Sequence, residues 1–297
     1  MLKYALWIFM AVVLFVTLRL IFIYKKQQDD LKIKTLFFQT TEKRTSKIVF
    51  LHGILGSHRY WDQFIPELSL THELILLDLL GFGNSPKPGF DYTVVDHLDK
   101  IKATLDTINK ESGRKYTLMG HSMGAVLALN YAKNHPEEVE RLILINPPLD
   151  TSEKNLKNSM IESSSKVMVQ MTFNPLFGRA VCFIHELIPF LAYPLLRILE
   201  SELPAAMAMA ATKHTWKSYM GSMKYVLEEQ KTLELIQSVK SIPTLILMSD
   251  KDEYSKPEGL NILKDQKNVR IKIVHGEHNL PLFHPERIMP EIQSFLK

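Results

Sequence analysis

The stretch "YTLMGHSMGAVLALNYA", residues 116–132, decides how this chain folds. Its first part, YTLMG, is a short apolar run of the kind that forms a strand buried on both faces. From Met123 onward alanine and leucine dominate until Pro136, which is helix composition with a helix stop. Between the two lies Gly120-His121-Ser122-Met123-Gly124. No residues remain for a loop, so the chain must turn sharply at Ser122. Glycine at 120 and 124 permits this, because a larger side chain would clash in so tight a turn. Such a turn exposes the Ser122 hydroxyl and places it at a helix N-terminus, where partial positive charge favours an anion. The bare pattern G-x-S-x-G arises by chance on the order of 0.1 times in a chain of this length. The strand before it and the helix after it give it weight.

The same alternation continues on both sides. "KIVFLHG" (47–53), "ELILLDL" (73–79), "RLILINP" (141–147), "TLILMSD" (244–250) and "VRIKIV" (269–274) read as strands. "RYWDQFIPEL" (59–68) reads as a short helix. "TVVDHLDKIKATLDTINKES" (93–112) reads as a longer one capped by Thr93, and a last helix runs from near Pro285 to the C-terminus. Strands alternating with helices predict an α/β fold with a mostly parallel sheet flanked by helices. From 149 to 242 the strand pattern vanishes and helical spacing takes over. Seven of the thirteen methionines fall there: Met160, Met168, Met171, Met207, Met209, Met220 and Met223. We expect a helical cap, its thioethers lining an adaptable apolar cavity or filling helix contacts. The expected organisation is a membrane anchor and flank at 1–28, core at 29–148, cap at 149–242 and core again at 243–297.

Residues 4–24 carry a single charge, Arg19. A helix of that length spans a bilayer, and Arg19 near one end can snorkel to the interface. Arg19, Lys25, Lys26, Lys32 and Lys34 outnumber Lys3 and the amino terminus, so the soluble part is expected on the cytoplasmic side. A cleaved signal peptide competes with the anchor reading, but no small-x-small site precedes Lys25. A buried core helix is the third reading. A formal charge of +4 without basic runs gives nucleic acid no support as a partner. HExxH and paired CxxC spacings are absent, so neither metal nor cofactor is expected. Cys182, the one cysteine, sits in an apolar run and reads as a buried small hydrophobe.

A reactive serine needs a base, a carboxylate to orient that base, and an oxyanion site. "HGILGS" (52–57) follows the first core strand, and the backbone N–H of Ile54 can share an oxyanion with that of Met123. "SDKDEY" (249–254) offers Asp250 and Asp252, and Asp150 is a third acid. "HGEHNLPLFHP" (275–285) offers His275, His278 and His284. His121 and His52 read as scaffold, and Asp78 as the shaper of the "GFGNS" turn (81–85). Trp61, Trp216 and Tyr219 line a pocket or pack a core.

"HGILGS", "DLLGFGNSPKP", "GHSMG", "SDKDEYSKP" and "GEHNLPLFHPE" together resemble serine hydrolases of the α/β-hydrolase fold with a helical cap. The likeness covers the chain from about residue 35 onward, the cap apart. It implies the chain order Ser122, Asp252, His278. The family's G-x-x-D stretch, with Ser249 in the glycine's place, selects Asp252 and leaves Asp250 as a turn residue. Some members take the acid from the place of Asp150. The family's histidine stands about seven residues before a proline, as His278 does before Pro285. Glu277 replaces the family's second glycine. Serine at 122 differs from the aspartate nucleophile of dehalogenases and epoxide hydrolases. The resemblance implies an acyl-enzyme on Ser122, and the apolar cap and anchor point to a lipophilic ester. Carbon–carbon bond hydrolysis, amide hydrolysis, acyl transfer and catalysis-free ligand binding are the alternatives.

Overall fold

Every core strand read from the sequence forms in the computed structural model, which describes residues 2–109, 115–149, 166–199 and 201–297. The first half comprises α1 (Leu2–Lys32), β1 (Phe38–Thr40), β2 (Lys47–Leu51), α2 (Ile65–Leu68), β3 (Glu73–Leu77), α3 (Val94–Ile108), β4 (Tyr116–His121), α4 (Met123–Asn134) and β5 (Val139–Ile145). Then come α5 (Lys166–Phe173), α6 (Pro175–Leu187), α7 (Pro189–Leu199), α8 (Ala205–Ala211), α9 (Trp216–Ser222) and α10 (Thr232–Ser238). The chain returns to the sheet with β6 (Thr244–Ser249) and β7 (Val269–Val274), and ends with α11 (Leu280–Phe283) and α12 (Met289–Leu296).

The sheet has seven strands in the order β1-β3-β2-β4-β5-β6-β7. Only the β1–β3 pair is antiparallel. All residues of β2, β3, β4 and β6 are buried, as strands covered on both faces must be. Alternation sends Val49, Leu51 and Leu118 into one core layer and Ile48, Phe50 and Met119 into the other. Each fully buried large side chain contributes roughly 1.5–3 kcal/mol. β4 lies mid-sheet, with Leu51 paired to Gly120 and His121 to Ile145. The carboxyl ends of β2, β4 and β5 therefore finish together, and their loops leave by one edge.

Thr93 caps α3 in a full capping box with Asp96. The 59–68 helix is a 3-10 turn over His58–Phe64 that continues into α2, and a 3-10 turn at Pro285–Arg287 precedes α12. β1 has no counterpart in the sequence reading: it has three residues, two of them exposed. Trp61 is wholly buried against Phe50 and Phe64, so it is core and not pocket lining. Tyr219 is likewise buried, with its hydroxyl on Thr172, and Trp216 packs over Gly178. Met171, Met207 and Met223 fill core contacts, while Met209 is exposed. Met160 and Asp150 lie outside the described residues, as does the side chain of Met168.

The first helix runs past residue 24 to Lys32. Its stretch Trp7–Lys32 is long and apolar enough to cross a membrane, and its most apolar window is not buried in the protein. A signal sequence would pass the same length and composition test. Arg19 has protein partners. It donates from Nε to the carbonyl of Leu187 (3.0 Å) and from Nη2 to that of Glu186 (2.6 Å). The physical reason is local: the last carbonyls of α6 lack intrahelical donors and carry the negative end of its dipole.

Candidate active site

Ser122 sits at φ 51°, ψ −119°, a strained backbone for a residue with a side chain. Its N–H donates to Ile145 at 3.0 Å, and its carbonyl accepts from Ala125 at 2.9 Å. The flanking glycines are sterically required. A Cβ on Gly124 would stand 2.0 Å from the Leu51 carbonyl oxygen, and one on Gly120 would stand 2.4 Å from that of Gly124. The sharp strand-to-helix turn anticipated at 120–124 is therefore present.

The 52–57 loop lies against this elbow. A Cβ on Gly53 would come within 3.4 Å of the Ser122 Cβ. Ile54 follows it, and Met123 opens α4, whose first N–H groups have no intrahelical acceptors. His52 fastens the loop. Its Nδ1–H donates to the Gly53 carbonyl (2.7 Å), and its Nε2 accepts from the Leu79 N–H (2.9 Å). Burial holds the ring down to about 4, so it stays neutral and can keep the acceptor. Asp78 accepts from the His58 and Asn84 N–H groups and from the His58 ring, which closes the following turn.

Asp252 and His278 meet across the sheet edge, Nδ1 to Oδ2 at 2.9 Å. The carboxylate is fully buried and the imidazole is 11% exposed. The other Asp252 oxygen accepts the N–H groups of Tyr254 (2.8 Å) and Ser255 (3.1 Å). The carboxylate is thus locked, and it turns the His278 Nε2 away from itself. Tyr254 covers the imidazole edge-on at 4.7 Å.

Two further residues hold the His278 backbone. His121 donates from Nε2 to the His278 carbonyl at 2.9 Å and stacks on Tyr60 at 4.9 Å. Burial, then the neighbouring His278, keep it well below its usual pKa. The scaffold role read for His121 therefore extends to supporting the histidine loop. Asn146, fully buried at φ 46°, donates to the same carbonyl (2.8 Å) and to the Ser249 Oγ (2.9 Å), and accepts the Ser249 N–H (2.7 Å). The Ser249 hydroxyl donates onward to the Glu277 carbonyl at 2.9 Å. Serine in place of the family's glycine at 249 thus has a structural use. The sequence reading missed Asn146. Its signal was an amide at the end of an otherwise apolar strand, in "LILINPP".

The competing residues lie elsewhere. Asp250 pairs with His275 at 2.9 Å, but both are exposed, at 41% and 63%. The hydrogen bond from His275, then the Gly276 N–H, lower the Asp250 carboxyl. Asp250 thereby pins the ends of β6 and β7, the turn role expected for it. His284 faces Glu286 near solvent. A surface cleft of about 440 Å³, lined by His275, Lys251, Glu277 and Arg287, contains none of Ser122, Asp252 and His278.

The profile of a family described as alpha/beta hydrolase fold matches residues 47–285. The probable lysophospholipase BODYGUARD 2 of Arabidopsis thaliana is 32% identical over 127 residues, 41% of this chain and 26% of its own length. The (lyso)-N-acylphosphatidylethanolamine lipase of Mus musculus is 32% identical over 144 residues, 46% of this chain and 42% of its own. Both alignments thus cover less than half of the relative. A thermophilic esterase from Thermogutta terrifontis superposes with a TM-score of 0.66 at 21% identity, covering 88% of this chain and 92% of that one. The profile match spans β2 to β7, the elbow and the histidine loop alike, and the chain belongs to the α/β-hydrolase fold family.

Proposed function

We propose that the protein is a membrane-anchored serine hydrolase that cleaves a lipophilic carboxylic ester through an acyl-enzyme on Ser122. The observation that carries this reading is the buried Asp252–His278 pair in the same loop edge as the strained Ser122 elbow. His278 takes the Ser122 proton on Nε2, while Asp252 holds the Nδ1–H tautomer and stabilises the imidazolium. The alkoxide attacks the ester carbonyl. The Ile54 and Met123 N–H groups receive the oxyanion, each worth about 3 kcal/mol in the transition state. Protonated His278 then gives its proton to the departing alcohol. Water, deprotonated by the same ring, releases the acid.

The lipophilic substrate rests on two supports. Two relatives, each aligned over less than half of this chain, are named as a probable lysophospholipase and a lipase. The helical segment, which we assign as a cap over 149–242, also exposes Leu176, Ile184, Phe190, Leu195 and Ile198 on α6 and α7. Arg19 ties α1 to the end of α6, so this apolar face belongs beside the anchor at the lipid surface.

The full chain in detergent should be assayed on monoacyl esters of rising chain length, matched amides and a carbon–carbon-cleavable diketone. Ester turnover should rise with acyl length and vanish in Ser122→Ala. Preference for the amide or the diketone would replace the ester assignment, and turnover surviving Ser122→Ala would remove the serine mechanism.

A further inference from the structure

Three metal-ligating side chains converge inside the helical segment, apart from the elbow and the Asp252–His278 pair. Cys182 and His185 stand one turn apart on α6, and His214 arrives from the loop between α8 and α9. All three are buried, and their ligand atoms lie within 4.8 Å of one another. His214 Nδ1–H donates to the Ala211 carbonyl at 2.7 Å. That bond fixes the tautomer and leaves the Nε2 lone pair facing the Cys182 Sγ at 3.5 Å. Metal-bound histidines have this arrangement, with one nitrogen for the ion and the other on a backbone carbonyl.

His185 is the unexplained member of the group. It is 7% exposed, its ring lies 4.7 Å from that of His214, and among the described residues neither of its nitrogens completes a hydrogen bond. The backbone at Thr212 approaches it without meeting that geometry. A buried imidazole with both nitrogens unpaired has lost its water and gained nothing in return.

We propose that Cys182, His185 and His214 form a binding site for one zinc-class divalent cation. One thiolate and two imidazoles suit a borderline ion of this kind. Zn–S of about 2.3 Å and Zn–N of about 2.0–2.1 Å at tetrahedral angles place sulfur and nitrogen about 3.5 Å apart. That is the Cys182–His214 separation. His185, whose ligand atom lies within 4.8 Å of the other two, completes the set by a side-chain adjustment. On binding, the Cys182 S–H bond breaks, the sulfur pair bonds the cation, and the proton leaves to solvent; no electron is transferred. Water takes the fourth position. The ion staples α6 to the loop before α9 and so fastens the helical segment.

The test uses the full, untagged chain in detergent, reduced and stripped by a chelator, then titrated with Zn²⁺ or with Co²⁺ as a spectroscopic probe. One equivalent should bind, with a near-ultraviolet thiolate-to-cobalt band and release of protons. Cys182→Ser and His214→Gln should each weaken binding at least about 100-fold, the upper end of the loss from an outer-shell partner. Cys182 is the chain's one cysteine, so a thiol reagent reports on the site in the unmutated protein, and zinc should slow its modification. Absence of stoichiometric binding, thiol reactivity indifferent to zinc, or affinity unchanged from the unmutated chain in both variants would overturn the site. In the last case loss of binding in His135→Gln would place the ion on the surface group of His135, Glu137 and Glu138 instead.

Discussion

Two aspartate–histidine pairs sit at the end of β6, and they differ in almost nothing but their surroundings. Asp250–His275 and Asp252–His278 are each joined Nδ1 to Oδ2 at 2.9 Å. In each, the second carboxylate oxygen accepts backbone N–H. The outer pair is 41% and 63% exposed; the inner is 0% and 11%. In water such a contact is worth little and competes with solvent. Inside, one carboxylate oxygen is taken by the Tyr254 and Ser255 N–H groups and water is kept from the other, so the imidazole is held in one tautomer and one direction. On the proposed mechanism, the exclusion of water and not the hydrogen bond itself sets the inner pair apart.

The sharpest way to break this comparison is to neutralise each acid in turn. Asp252→Asn should lower ester turnover about 10⁴-fold, the loss expected when the orienting carboxylate becomes an amide. Asp250→Asn should change it less than about 3-fold, as for an exposed ion pair. Equal losses in kcat/KM would mean that burial does not separate the two roles.

A smaller effect tests what holds the inner pair in place. Asn146→Ala removes one of the two donors to the His278 carbonyl and takes the acceptor from the Ser249 N–H. It should cost up to about 100-fold in kcat, in line with a displacement of about 1 Å. KM should move little. An unchanged kcat would show that His121 alone supports the loop.

The smallest effect concerns acid stability. His52 and His97 are wholly buried, and burial holds them at about 4 and about 3. The unfolded chain takes up protons near 6.5 that these folded sites refuse. Their contribution is complete above about pH 6.5 and is lost as pH falls towards 4. Thermal melts across that window should show Tm falling with pH. A flat profile would mean that these rings are reached by solvent.

Most of the core was legible because its signals are local. Five apolar strand runs, a strand–glycine–serine–glycine–helix junction and two polar loops at strand ends each declare themselves within about ten residues. β1 was not legible, because three residues with two exposed carry no periodicity. Asn146 was visible only as an amide ending an apolar strand. Its partners Ser249 and His278 lie 103 and 132 residues away. Cys182 read correctly as buried, but its neighbour His214 is 32 residues downstream and reaches it only through helix packing. Arg19 was read against a bilayer, whereas the carbonyls it found belong to a helix 167 and 168 residues later.

The central claim is that burial makes Asp252–His278, and not its exposed twin, the pair that activates Ser122. Fluorophosphonate labelling of the full chain, with the modified peptide identified by mass, tests it most directly. The account predicts one label, on Ser122, with the labelling rate collapsing in Asp252→Asn and holding in Asp250→Asn. A label on another residue, labelling that survives Ser122→Ala, or a collapse in Asp250→Asn matching that in Asp252→Asn would contradict it.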